Sequence, residues 1–152
     1  MYTNILVAVD GSEASKYAVS EAIRIAKLSG GKLTAVHVLD QSAAFTYAGA
    51  CDPHLLTDTA RQVGRRFLDE ACAKMQALDV VGDSEIIETQ GIGEDVASCL
   101  ARCASRLRAE LVVMGTHGRR GMRRMVIGSV AERFLRQSAC PVLLIRETWT
   151  GA

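Results

Sequence analysis

Short apolar runs of strand length alternate through this chain with longer stretches of helical period. No other feature limits its fold as much. Residues 4–10 read Asn-Ile-Leu-Val-Ala-Val-Asp, with no polar residue between Ile5 and Val9. A strand with one wet face would alternate apolar and polar residues. A continuous run predicts a strand covered on both faces, as in a parallel sheet. Lys32–Leu39, the more polar Ser84–Thr89, Leu111–Met114 and Val142–Ile145 supply four further strands. The polar character of the third places it near an edge.

The intervening stretches carry helical spacing. Val19, Ala22, Ile23 and Ala26 fall at i, i+3, i+4 and i+7, the apolar stripe of an amphipathic helix. Ser12 suits its N-cap, Glu13 its positive end, and Gly30-Gly31 its termination. A second helix is expected from Leu56 to Leu78, with Ala60, Phe67, Leu68, Ala71 and Met75 on one face and Gly64 as a local weakness. Val96, Leu100, Cys103, Ala104 and Leu107 mark a third. Val130, Ala131, Phe134 and Leu135 mark a fourth, and Ser129-Val-Ala-Glu132 before them fits a capping box. The order β-α-β-α-β-α-β-α-β predicts an α/β fold: an open five-stranded parallel sheet with helices on both faces and right-handed crossovers.

With only two prolines and no linker, repeat or low-complexity segment, residues 1–152 are expected to form one domain. Hydrophobic residues at 49% and charged residues at 23% exclude a disordered chain. A chain this long buries about 70% of its unfolded surface, so it needs no disulfide or metal staple. No apolar run nears the roughly 18 residues of a membrane span. The N-terminus lacks the basic segment and apolar stretch of a secretory signal. A soluble, cytoplasmic protein without membrane association is expected.

The formal net charge of +1 argues against a general nucleic-acid binder. The distribution is uneven: residues 1–101 carry a net −6 and residues 102–152 a net +7, with Arg119, Arg120, Arg123 and Arg124 inside six positions. The five cysteines (Cys51, Cys72, Cys99, Cys103 and Cys140) include no Cys-x-x-Cys and have no His pair at zinc spacing. Cys99 and Cys103, at i and i+4 among apolar residues, read as buried small hydrophobes.

Ligands of open α/β sheets sit beyond the carboxyl ends of the strands. Candidate groups therefore follow each strand: Asp10-Gly11, residues 38–40, residues 91–95 and the loop from Gly115. The unperiodic residues 40–56 form a connection long enough to suggest a functional role. The loop from Gly115 carries the most chemistry. It reads Gly115-Thr-His-Gly118-Arg-Arg-Gly121, then Gly128-Ser129-Val130 at a helix start. Glycines let backbone N–H groups approach a phosphate, a helix N-terminus favours an anion, and the arginines add positive charge. It is not a Walker loop, since no Gly-x4-Gly-Lys-[Ser/Thr] occurs.

Other features admit two readings. Ser129 either caps its own helix or meets a phosphate. Asp10 either caps the next turn or bonds a sugar hydroxyl or a hydrated metal. His117 can donate to a ligand, whereas His37, inside a strand, reads as a core histidine. Gly91-Ile-Gly93-Glu94-Asp95 lacks the third glycine of a dinucleotide fingerprint, and its two carboxylates oppose a pyrophosphate; it reads as a turn and helix start. No general base, carboxylate pair or nucleophile–base pair is visible, so no catalytic residue and no metal ligand is assigned.

The spacing Gly115-x2-Gly118-x9-Gly128-Ser129, preceded by Leu-Val-Val-Met and followed by a helix and Cys-Pro-Val-Leu-Leu-Ile, resembles the signature of the universal stress proteins. Ile5-Leu-Val-Ala-Val-Asp-Gly-Ser12 and His37-Val38 match as well. The resemblance covers essentially the whole chain. It implies a Rossmann-like sheet in the order 3-2-1-4-5 with four helices, and the ATP-binding branch of the family, which keeps the glycine motif. Carried over by position, Ala8 would line the base, Asp10 would meet the ribose or a metal–phosphate group, and Val38 would pair with adenine through its backbone. Met114 and Gly115 would flank the nucleoside. His117, Gly118, Gly128, Ser129 and Val130 would surround the phosphates. The implied ligand is ATP or a related adenine nucleotide, with or without Mg2+. The implied assembly is a homodimer through Val142–Ile145, and an unpaired apolar edge strand is an independent physical reason for such pairing.

Three functions compete at this level: an ATP-binding regulator of the stress response; a slow ATP hydrolase or nucleotidyl transferase on the same scaffold; and a module that docks an anion or acidic protein on the Arg119–Arg124 loop.

Overall fold

The computed structural model describes residues 1–42, 52–91, 93–117 and 127–147. Five strands form the sheet: β1 (Asn4–Ala8), β2 (Lys32–Leu39), β3 (Gly82–Glu88), β4 (Leu111–Gly115) and β5 (Val142–Ile145). All pairings are parallel and the order is β3-β2-β1-β4-β5. Four helices lie among the described residues: α1 (Glu13–Ser29), α2 (Pro53–Ala77), α3 (Val96–Arg106) and α4 (Ser129–Gln137). The strand order reverses between β1 and β4, the place where open α/β sheets form a crevice at the carboxyl ends of their strands.

The continuous apolar runs are explained by two cores. Successive residues of a strand point to opposite faces. Ile5, Val7, Leu33, Ala35, Leu111 and Val113 pack on one side with the buried stripes of α1 and α2. Leu6, Val36, Val112 and Met114 pack on the other with α3 and α4. β3 is an edge strand and has one buried residue, Ile87, as its polar composition requires.

The helix termini follow local chemistry. Ser12 Oγ accepts from Ser15 N at 3.2 Å and starts α1, and Gly30 ends it in the left-handed region at φ 68°. α2 starts three residues before the expected Leu56, because Asp52 accepts from His54 N at 3.0 Å and Pro53 occupies the first turn. A proline there has no N–H to lose. Burial on α2 begins only at Gly64, so Ala60, placed on the core face by its spacing, is exposed.

α4 differs from expectation in two ways. Only Ala131 and Phe134 are buried, while Val130 and Leu135 are exposed. This nine-residue helix presses a narrow stripe on the sheet margin rather than a broad apolar face. The capping box does not form. Gly128 N donates to Thr116 O at 2.6 Å, Gly128 becomes the N-cap, and no side chain caps the helix. Glu132 instead pairs with Arg136 at 2.8 Å.

Cys99 and Cys103 are buried in the α3 core stripe, as their spacing predicts. Burial pushes both thiols up, Cys103 to about 11. Cys51 lies outside the described residues.

Candidate functional site at the carboxyl ends of β1 and β4

The site starts where β1 stops. Val9 N donates to Val36 O at 2.8 Å, and the chain then turns through Gly11 at φ 83°. Two serines shape this turn. Ser12 N donates to Asp10 Oδ1 at 2.9 Å, and Asp10 N donates to Ser15 Oγ at 3.1 Å. Ser15 is buried, and its hydroxyl reaches Ala8 O at 3.5 Å. The turn-capping role considered for Asp10 is therefore present, and it fixes the carboxylate at the crevice rim.

The end of β4 is bound to the same turn. Ser12 Oγ donates to His117 O at 3.3 Å. A Cβ on Gly115 would lie 2.8 Å from Ala14 Cβ and 3.0 Å from Ala14 C, so glycine lets the strand end touch the first turn of α1. Thr116 N donates to Ile145 O at 2.8 Å, and Thr116 O accepts from Gly128 N. A Cβ on Gly128 would stand 2.9 Å from that carbonyl oxygen. The β4–α4 connection thus leaves and re-enters through a neck formed by Thr116 and Gly128, and only a glycine at 128 allows so close an approach.

Two features at this neck favour an anion. The first N–H groups of α4 lack intrahelical acceptors, as at any helix start, and no side chain among the described residues caps them. His117 approaches Thr116 Oγ1 through Nδ1 at 2.9 Å, while its Nε2 is buried with no hydrogen-bond partner among the described residues. An unpartnered buried polar atom is costly unless a ligand completes it.

Several of the sequence-derived candidates meet here. Ala8, Asp10, Met114, Gly115, His117, Gly128, Ser129 and Val130 stand at the ends of β1 and β4 and the start of α4, with Val38 near the end of adjacent β2. Met114 is buried and faces the α3/α4 core. Ser129 and Val130 are exposed. Gly118 and Arg119, Arg120, Arg123 and Arg124 lie outside the described residues. His37 is the satisfied core histidine its position suggests: its Nδ1 meets Val9 O at 2.7 Å.

Gly91 and residues 93–95 form a turn and a helix start, with Ile92 outside the described residues. Gly91 has φ 69°, and Asp95 caps α3 by accepting from Ser98 N at 2.8 Å. Its carboxylates are already engaged. Arg102 bonds Glu94 at 2.9 and 3.0 Å and holds that carboxyl below its usual range. The Ser98 amide does the same for Asp95, with help from Arg133.

Sequence reasoning passed over Ser15 and Thr116. Ser15 had a signal: it extends the buried stripe of Ala18, Val19 and Ala22 backwards, and a polar residue in an apolar stripe calls for a specific partner. Thr116 had none, because its role depends on β5 lying alongside. Among the described residues, no cluster of three His, Cys, Asp or Glu can hold a metal, and no helix is long and apolar enough to cross a membrane.

The sequence profile described as the universal stress protein family matches residues 1–146. The chain belongs to the universal stress protein family. One family relative, from Methanocaldococcus jannaschii, is 29% identical over 147 residues, covering 97% of this chain and 84% of the relative. A crystal structure of a universal stress protein family member from Burkholderia pseudomallei is 40% identical, with a TM-score of 0.78 over 95% of this chain and 96% of that one. The universal stress protein of Archaeoglobus fulgidus, solved in complex with dAMP, shares the fold at 22% identity, with a TM-score of 0.69 over 95% of this chain and 98% of that chain.

Proposed function

We propose that this universal stress protein binds an adenine nucleotide, ATP with or without Mg2+, in the crevice between the ends of β1 and β4, and acts as a cytoplasmic regulator of the stress response. The buried Nε2 of His117, unpartnered among the described residues, carries the reading, since His117 neighbours Gly128 at a helix start where no described side chain supplies a cap. A phosphate would accept from the α4 amides, and from His117 Nε2 in the tautomer in which Thr116 Oγ1 donates to Nδ1. Asp10, bonded by Ser12 N, would meet the ribose or a metal–phosphate group. Ala8 would line the base, Val38 would pair with adenine through its backbone, and Met114 and Gly115 would flank the nucleoside. His117, Gly118, Gly128, Ser129 and Val130 would surround the phosphates. The dAMP complex of the Archaeoglobus protein supports an adenine ligand on this fold. A homodimer through Val142–Ile145 belongs to the same proposal.

Thermal unfolding of the full chain with AMP, ADP and ATP, each with and without Mg2+, tests the reading. At 100 times its dissociation constant a ligand adds about 2.7 kcal/mol. Gly128→Val should abolish the shift, because its side chain enters the neck beside Thr116 O. An absent shift with every nucleotide refutes the reading. A shift accompanied by steady phosphate release would turn it towards catalysis.

A further inference from the structure

Two aromatic rings and two glycines lock α2 onto the turn that carries Asp10. The β1–β2 backbone ladder closes with Val9 N on Val36 O. The next carbonyl, Val9 O, lies one peptide before Asp10 and meets an imidazole instead. A carbonyl only accepts, so His37 Nδ1 carries the proton and donates at 2.7 Å. The ring is seated from above by α2. Gly64 leaves the space it occupies: a Cβ there would stand 2.8 Å from Nε2 and overlap Cδ2. Phe67, one turn along α2, meets the imidazole edge-on, with centroids 5.9 Å apart and planes at 66°. The Phe67 ring in turn covers Gly11, where any Cβ would overlap it. A ring from β2 therefore fills a gap in α2, and a ring from α2 fills a gap in the β1–α1 turn.

From this interlock we propose that His37 is a positioning residue for the bound nucleotide, acting through Val9 on Asp10, with Phe67 as its support. The proposal rests on the nucleotide reading above. It needs no change of charge on His37; the donated hydrogen bond and the ring's shape do the work. Displacing either ring lets the backbone of residues 9–11 shift, and Asp10 with it. A misplacement of about 1 Å at such a site is enough to weaken a polar contact severely.

The test measures AMP binding by calorimetry on the full chain. Wild type should bind. His37→Leu, which keeps bulk but loses the donor, should weaken binding at least about tenfold, the cost of one lost buried contact. His37→Asn restores an N–H donor near the same place and should recover most of the affinity. Met75→Ala, a cavity at the far end of α2, should lower thermal stability and leave AMP affinity unchanged. If His37→Leu fails to fold, Phe67→Leu carries the same expectation. A folded His37→Leu or Phe67→Leu that binds AMP like wild type overturns the positioning role and leaves nucleotide binding intact. An equal loss in Met75→Ala overturns it too, because the effect would then be general loosening. Failure of wild type to bind any adenine nucleotide removes the underlying reading and this proposal together.

Discussion

Gly64 shows how a residue can be unfavourable for its element and necessary for the fold. Inside a helix, glycine is about 1 kcal/mol worse than alanine. Propensity alone would make Gly64→Ala stabilising. The His37 ring occupies the space of that methyl group, and the ring is held by Val9 O and Phe67. Overpacking a filled core costs about 1–3 kcal/mol. Gly64→Ala is therefore expected to lower the urea midpoint, and a raised midpoint would show that the imidazole moves aside at little cost. Gly30 makes the opposite case. Nothing crowds it, and its φ of 68° alone demands glycine. Both residues are visible in the sequence as helix breakers. Only Gly30 can be interpreted there, because its role is local.

At the scale of the element, α3 depends on its first turn. Asp95 accepts from Ser98 N at 2.8 Å and pairs with Arg133 at 2.9 Å. The Ser98 amide holds the carboxyl below its ordinary range. A group with a depressed folded pKa stabilises above its unfolded pKa and loses that contribution as pH falls through the folded one. Asp95→Ala is thus expected to cost about 1 kcal/mol near neutral pH, as for other lost N-caps. The gap from wild type should close in acid, which urea titrations across the carboxylate range will show. A gap independent of pH would mean that the charge contributes nothing. The same helix hides two thiols. With Cys103 pushed up to about 11 by burial, iodoacetamide should leave it unmodified near neutral pH until denaturant is added. Rapid labelling of the native protein, read by peptide mass, would contradict the packing of α3 against the sheet.

For the whole molecule, the exposed margin of β5 matters most. Pro141 O accepts from Val112 N and Ile145 O accepts from Thr116 N, so the backbone groups of alternate residues 141, 143 and 145 face β4. By the two-residue period of a strand, those of Val142 and Leu144 face outwards. Leu144→Pro removes an outward N–H and leaves the β4 ladder intact, a change an edge strand tolerates. If copies pair through this strand, the variant should sediment as a monomer while wild type sediments as a dimer. Equal sedimentation of the two would remove β5 from the interface.

The strands were the most legible part of the chain. Strands covered on both faces carry near-continuous apolar runs, and the bounds of β2 and β5 follow the sequence residue for residue. The α1 stripe and its caps were equally readable, since their causes lie within a few residues of one another. The α4 face and the Ser129 cap differ from expectation because they depend on distant neighbours, α3 and Thr116; the α2 start differs because Asp52 and Pro53, which are local signals, extend the helix beyond its apolar stripe.

The sequence by itself determined that a parallel α/β sheet forms and that glycines crowd the connection after β4, because burial pattern and backbone freedom are properties of single residues and short runs. Only the tertiary structure decided that Thr116 and Gly128 close a neck, that Ser12 and Ser15 hold Asp10, and that His37 reaches Val9. These contacts join residues far apart in the chain, and no local pattern encodes which of them will meet.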